Sequence, residues 1–157
     1  MSRATDLGVR ILRNRRLVRA PIWLYRLRAG AVLGPRLLML EHLGRVSGKP
    51  RYVVLEAVAH PDPDTYVLAS GFGSRAQWFR NVVAHPEVRV WTGSRAPRRG
   101  TARVLDQDAV DRVLTGYRLA HPTSWAQFTA ILEQTLGHPI TDTGTPMPMV
   151  EVRLAPG

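Results

Sequence analysis

The feature that most constrains the fold is a series of short apolar segments, separated by turn-forming residues, that begins near residue 36. Segments rich in Val and Leu alternate with clusters of Gly, Pro, Asp and Ser, as in chains built from hairpins. No apolar segment approaches the roughly 18 residues of a membrane-spanning helix. Strands are predicted at residues 37–43, 51–59, 65–70, 88–92, 99–105 and 149–154. Because hairpin connections predominate, we predict a mostly antiparallel six-stranded sheet that curls into a small barrel.

Helical segments accompany these strands in the middle of the chain and near its end. Helices are predicted at residues 75–84, 106–119 and 122–136. Asp106 is a typical N-cap for the second of them, and Gly137 ends the third. The predicted fold class is therefore mainly β with helices, an α+β barrel that carries C-terminal helices.

The chain divides into a basic N-terminal arm, residues 1–35, and a single barrel domain, residues 36–157. Residues 1–36 contain nine arginines and one acidic residue, so they carry +8 of the formal net charge of +10. Leu7 and Ile11 begin an apolar pattern of helical spacing, which predicts an amphipathic helix. Such an arm either lies on an anionic membrane or packs over the end of the core, and both interpretations stay open. We expect a cytoplasmic protein that associates with the inner face of the membrane if the first interpretation holds.

The connection between the first two predicted strands concentrates hydrogen-bond donors in one tight turn. It contains Arg45, Ser47, Gly48, Lys49 and Arg51. Glycine lets backbone N–H groups point outward together, and a cluster of N–H, hydroxyl and guanidinium donors suits an anion. The alternative interpretation is a solvated basic hairpin.

The connection after the third predicted strand is a glycine-serine loop that leads into a helix. A Gly-x-Gly loop before a helix lets a flat ligand approach the backbone, and the helix N-terminus adds positive potential. The candidate binding residues here are Ser70, Gly71, Gly73, Arg75, Trp78 and Asn81. The alternative is that Trp78 and Phe79 are ordinary core residues.

No side chain in the sequence is typical of a self-sufficient catalytic group. The five histidines lack metal-ligand spacing and the chain has no cysteine, so we predict no metal site. The serines lack a nucleophile-elbow sequence. An enzyme with these residues would depend on a bound organic cofactor.

Four short motifs follow one another in the order and spacing of one protein family. They are Gly44-Arg45-x-Ser47-Gly48-x-Pro50-Arg51, Ala69-Ser70-Gly71-x-Gly73, Trp78-x-x-Asn81 and Ala84-x-Pro86-x-Val88-x-Val90. In these motifs the chain resembles the deazaflavin-dependent nitroreductase family of split β-barrel proteins, which share the FMN-binding-like barrel. The resemblance spans about residues 36–105, and the final strand also fits.

The resemblance implies an oxidoreductase that binds the deazaflavin coenzyme F(420). The phosphate and polyglutamyl tail of the coenzyme would lie against Arg45, Lys49 and Arg51, and its ring near residues 70–73 and the Trp78 helix. The implied reaction passes a hydride from the reduced coenzyme to an electron-poor acceptor, a quinone or a nitro compound. The family often has a lysine before a Gly-Gly pair, and we expect Arg75 to supply that charge here.

Other predictions are less specific. Tyr117 and Trp125 are the candidates for the pocket of the small-molecule acceptor. The alternative ligands of such a barrel are FMN and haem, and the alternative to an enzyme is a module that binds anionic lipid or nucleic acid through residues 1–35. The enzyme interpretation predicts no nucleic-acid partner, and it leaves monomer and homodimer open.

Overall fold

The computed structural model describes residues 36–71 and 73–157, so the predicted arm at residues 1–35 lies outside the described residues. The six strands are β1 Leu37–Leu43, β2 Pro50–Asp62, β3 Thr65–Ala69, β4 Glu87–Thr92, β5 Arg98–Val104 and β6 Met149–Leu154. The helices are a 3₁₀ turn at Gly73–Arg75, α1 Gln77–Ala84, α2 Gln107–Ala120 and α3 Pro122–Leu136. None of these helices is long and apolar enough to span a membrane.

The six strands close into a barrel in the order β1-β2-β3-β6-β5-β4, and every neighbouring pair is antiparallel. Leu40 of β1, for example, lies opposite Val53 of β2 on one side and Val90 of β4 on the other. The pairing of β3 with β6 and of β6 with β5 completes the ring. These pairings confirm the predicted six-stranded antiparallel barrel with helices.

Alternation along the strands places apolar side chains inside the barrel. Leu38 and Leu40 of β1 and Val150 and Val152 of β6 are buried in one cluster. The apolar face of α1 packs into the same cluster through Trp78, Phe79 and Val82. Helix α1 is therefore part of the barrel core, and the interpretation of Trp78 and Phe79 as core residues is confirmed.

Helices α2 and α3 pack on the outside of the sheet and form a second apolar cluster. Val58 of β2, Leu114 of α2 and Leu132 of α3 are buried together there. The Asp106 carboxylate accepts a hydrogen bond of 2.8 Å from the Ala109 N–H, which confirms the predicted N-cap of α2. Helix α3 ends at Gly137 as predicted.

Two predicted boundaries differ from the structure by more than one residue. The predicted strand 51–59 continues to Asp62, because a register shift between Ala59 and Asp62 forms a bulge that accommodates Pro61 in the ladder. The predicted helix 75–84 is a 3₁₀ turn followed by α1, because Ala76 has an extended ψ of 130° and interrupts the helical backbone. Ala76 packs against the barrel core, so the interruption redirects the chain as it enters α1.

Candidate functional site

The connection between β1 and β2 is a tight turn closed by its own backbone. The Gly44 N–H donates to the Lys49 carbonyl at 2.9 Å, and the Gly48 N–H donates to the Gly44 carbonyl at 2.8 Å. Gly48 has a φ of +66°, which favours glycine at this position. The Lys49 N–H donates to the Ser47 hydroxyl oxygen at 3.2 Å, so that hydroxyl keeps its own hydrogen for a further acceptor. We call residues 44–51 the basic turn.

Arg45 turns from the basic turn toward helix α1. Its backbone N–H donates to Asn81 Oδ1 at 3.0 Å, and its Nη1 donates to the same oxygen at 2.9 Å. Nη1 also donates to Gln77 Oε1 at 2.9 Å. The two segments that carry the predicted binding residues therefore meet in space, through contacts between residues more than 30 positions apart in the sequence.

A buried histidine completes this contact from inside the barrel. Asn81 Nδ2 lies 3.1 Å from His42 Nδ1, and only 4% of His42 and 5% of Asn81 is exposed. Because the Asn81 oxygen accepts both bonds from Arg45, its Nδ2 must donate, and His42 Nδ1 is the acceptor. Burial, followed by the charge of Arg51, lowers the pKa of His42 to about 4, so the ring is neutral at neutral pH.

Sequence reasoning missed His42 and Gln77 as members of this site. A signal for His42 was present, because it alternates with Leu38 and Leu40 on the inward face of β1, and a buried histidine needs a partner. No local pattern distinguishes Gln77, which is exposed and joins the site only through Arg45.

The loop after β3 is held by Ser70, which is fully buried. Its hydroxyl donates to the Gly73 carbonyl at 2.6 Å, and the Gly73 N–H donates to the Ser70 carbonyl at 3.0 Å. A Cβ atom on Gly71 would lie 2.9 Å from Leu132 Cδ2 of helix α3. A side chain at position 71 would therefore force the Leu132 side chain to shift. A flat ligand reaches this loop from the side that Leu132 does not cover.

The positive charges of the site lack acidic partners in the described part of the chain. The ion pairs among those residues involve Arg36, Arg98, Arg103, Arg118 and Arg153. Among residues 36–71 and 73–157, no ion pair includes Arg45, Lys49, Arg51 or Arg75. Unpaired cations on a turn with a fixed backbone suit a polyanion. The same described ranges hold no group of three or more His, Cys, Asp or Glu side chains that could bind a metal.

The two acceptor-pocket candidates lie together in the second apolar cluster. The rings of Tyr117 and Trp125 have centroids 6.4 Å apart, and Phe128 is 5.3 Å from Tyr117. Arg36 Nη2 donates to the Tyr117 hydroxyl at 2.9 Å and also forms an ion pair with Glu56. Burial and the nearby Glu56 carboxylate raise the pKa of Tyr117, so its hydroxyl stays protonated.

The aromatic pair and the basic turn belong to opposite ends of β1. Tyr117 contacts Arg36, which directly precedes β1, whereas Arg45 follows its last residue. A seven-residue strand is roughly 20 Å long, so neither Tyr117 nor Trp125 belongs to the basic turn. Helix α3 links the aromatic pair to the loop after β3, because it carries Trp125 near its start and places Leu132 against Gly71.

Comparison with solved structures defines the class of the barrel. A protein described as a domain-swapped dimer is 25% identical with a TM-score of 0.52, and the match covers 75% of this chain and 80% of that one. A protein described as an F(420)-H(2) dependent reductase is 24% identical with a TM-score of 0.52, covering 75% and 94%. A haem storage protein from Vibrio cholerae is 11% identical with a TM-score of 0.54, covering 89% and 92%. The last two show the fold alone, the split barrel.

Within this class, a family model described as F(420)H(2)-dependent quinone reductase matches residues 17–136. The chain therefore belongs to that family. Membership confirms the predicted resemblance, the coenzyme F(420) and the class of F(420)-dependent oxidoreductase. No curated protein matches the chain.

Proposed function

We propose that this oxidoreductase passes a hydride from reduced coenzyme F(420) to a quinone, with a nitro compound as the alternative acceptor. The observation that carries the site assignment is the contact of Arg45 with Gln77 and Asn81, which joins the basic turn to helix α1. The family description favours a quinone acceptor.

The residues of the basic turn have distinct roles in this proposal. Arg45, Lys49 and Arg51 bind the phosphate and carboxylates of the coenzyme tail, and the Ser47 hydroxyl donates to one of them. Gly48 shapes the turn, because its N–H is already bonded to the Gly44 carbonyl. Arg75 extends the positive surface toward the loop after β3.

The ring of the coenzyme lies near Ser70, Gly71 and Gly73, on the side of the loop that Leu132 leaves free. When bound, the reduced coenzyme supplies the hydride. The protein positions ring and acceptor and keeps water from the reacting atoms. Trp78 and Asn81 support this surface from beneath, since both side chains are buried.

We infer that the acceptor enters beside helix α3, which carries Trp125 and covers the loop through Leu132. The Tyr117 hydroxyl is already paired with Arg36 and Glu56. Tyr117 would therefore act by holding the neighbouring rings of Trp125 and Phe128 in place, and Trp125 would contact the acceptor.

Titration of the protein with coenzyme F(420) tests the tail site. We expect saturable binding, and replacement of both Arg45 and Arg51 by Ala should weaken it by about 1.5–3 kcal/mol per lost charged hydrogen bond. The matched control is Arg103→Ala, which removes an exposed arginine from β5 at the outer face of the barrel and should leave affinity unchanged. Unchanged affinity in the folded double variant would reject the tail site, and a bound flavin or haem spectrum in the purified protein would reject the coenzyme assignment.

The oligomeric state is predicted as monomer or homodimer, and the domain-swapped dimer among the similar structures favours the homodimer. Light scattering of the purified protein distinguishes the two states by mass.

A further inference from the structure

His42 is the one histidine of the described residues that is buried, and its side chain faces the inside of the barrel. Only 4% of His42 is exposed, and its Nδ1 lies 3.1 Å from the Nδ2 of Asn81. That amide is the partner of Arg45. A buried neutral ring in this place has no role in the function proposed so far.

We propose that His42 is a positioning residue for coenzyme binding, which fixes the orientation of the Asn81 amide and through it the place of Arg45. The inference rests on the proposed role of the basic turn in binding the coenzyme tail. In this proposal a side chain buried inside the barrel affects a binding surface on the outside of the barrel.

The argument begins with the two ends of the Asn81 side chain. Its oxygen accepts two hydrogen bonds from Arg45, at 3.0 and 2.9 Å, and Arg45 can only donate. A rotation of the amide by half a turn would place its NH₂ group against those donors. The acceptor on His42 Nδ1 excludes that rotation, because it binds the NH₂ group on the opposite side.

Arg45 has a long side chain with many rotamers, so an arginine that is not held loses conformational entropy when it binds an anion. The Asn81 oxygen holds both the backbone and the guanidinium of Arg45 before any ligand arrives. The Arg45 backbone also sets where the rest of the basic turn lies against α1. Loss of the amide orientation would therefore disturb several tail contacts together.

The charge state of the ring agrees with this role. A protonated His42 would donate at Nδ1 and could not accept from Asn81. Burial and the charge of Arg51 hold the pKa of His42 at about 4, which keeps the acceptor available at neutral pH.

Binding of coenzyme F(420) to paired variants tests the proposal. His42→Leu removes the acceptor at similar volume, and we expect about tenfold weaker binding, the effect of one lost hydrogen bond. His42→Gln, whose side-chain oxygen can accept from Asn81, should restore most of the affinity. In an Arg45→Ala background the His42→Leu change should weaken binding less than it does in the wild-type background, because the guanidinium contact is gone and only the backbone N–H of residue 45 still depends on Asn81. An equal loss in both backgrounds, or no rescue by Gln, would overturn the proposal.

Hydrogen exchange of the ligand-free protein gives a second readout that does not depend on the coenzyme. The Arg45 amide, bonded to Asn81, should exchange about tenfold faster in His42→Leu, whereas the Gly48 amide, bonded within the same turn, should not change. If His42→Leu does not fold, His42→Met fills the space without a nitrogen acceptor and takes its place. A wild-type protein that fails to bind the coenzyme while the exchange result holds would refute the proposed function and leave the positioning role intact. Unchanged exchange at Arg45 would refute the positioning role itself.

Discussion

At the scale of single residues, the site depends on how many hydrogen bonds each polar group can form. The Asn81 oxygen serves the backbone and the side chain of Arg45, while its nitrogen is left for His42. The Ser47 and Ser70 hydroxyls are both engaged within their own turns. Turns preformed in this way present the charged groups of the basic turn and the hydrogen of the Ser47 hydroxyl to a ligand.

The buried His42 predicts how stability depends on pH. The unfolded chain takes up a proton on this histidine near pH 6.5, whereas the folded protein does so only near pH 4. Between those values the unfolded state binds more protons, so the free energy of unfolding should fall as the pH is lowered from about 6.5 to about 4. The contribution of His42 is at most about 3 kcal/mol.

Denaturant unfolding of wild-type protein and His42→Gln across this pH range measures the effect. Carboxylates titrate in both proteins, so the difference between the two curves isolates His42. The prediction is contradicted if the free energies of unfolding of the two proteins differ by a constant amount from pH 7 to pH 4. It is also contradicted if the wild type becomes more stable relative to His42→Gln as the pH falls.

At the scale of elements, helix α3 approaches the loop after β3 most closely at residue 71, where a Cβ atom would lie 2.9 Å from Leu132 Cδ2. Gly71 lies under Leu132, which is itself buried in the second apolar cluster. The 3₁₀ turn and the interruption at Ala76 then direct the chain into α1, which contributes to the other cluster. The loop and the turn that follows it therefore pack against two separate apolar clusters of the described residues, the barrel core and the cluster under α2 and α3.

Gly71→Ala should destabilise the protein by about 1–2 kcal/mol, because Leu132 has to move within a packed cluster. Gly116→Ala is the matched control, since a Cβ atom there meets nothing within 4 Å and the residue lies inside helix α2. That control should stabilise the protein by about 0.5–1 kcal/mol. Thermal unfolding of both variants checks the opposite signs. If the melting temperatures of Gly71→Ala and Gly116→Ala shift equally and in the same direction, the packing argument is refuted.

At the scale of the whole molecule, the charge is distributed unevenly between the arm and the barrel. The arm lies outside the described residues, and its predicted attachment to an anionic membrane remains a proposal. Each arginine near an anionic membrane surface contributes about 1 kcal/mol to binding. Membrane binding should therefore depend more on where the arginines lie than on the net charge of the protein.

Two variants with the same net charge of +5 test this proposal. One carries Gln at Arg10, Arg13, Arg15, Arg16 and Arg19 in the arm. The other carries Gln at the exposed Arg89, Arg95, Arg99, Arg103 and Arg112 of the barrel domain. Only the first should lose binding to phosphatidylserine vesicles in a sedimentation assay. Equal losses would indicate a nonspecific charge effect, and salt-sensitive binding to DNA instead of vesicles would favour the nucleic-acid alternative.

Most of the strands and the ends of α2 and α3 could be predicted because their signals are local. Asp106 caps a helix with its own side chain three residues away, and Gly137 ends one through its own backbone angle. The strand boundary at residue 59 was missed, since the pairing of β2 with β3 decides how far the ladder continues through the bulge. The interruption at Ala76 was missed for a similar reason, because it depends on packing against the barrel.

By itself, the sequence determined the six-stranded pattern, the basic turn with its donors, and the family resemblance, because each of these is carried by residues that are neighbours in the chain. Only the tertiary structure decided that Arg45 points to Asn81, that Leu132 occupies the space beside Gly71, and that Tyr117 lies at the far end of β1. These contacts join residues separated by tens of positions. Their geometry follows from barrel closure and helix packing, which no local pattern of residues specifies.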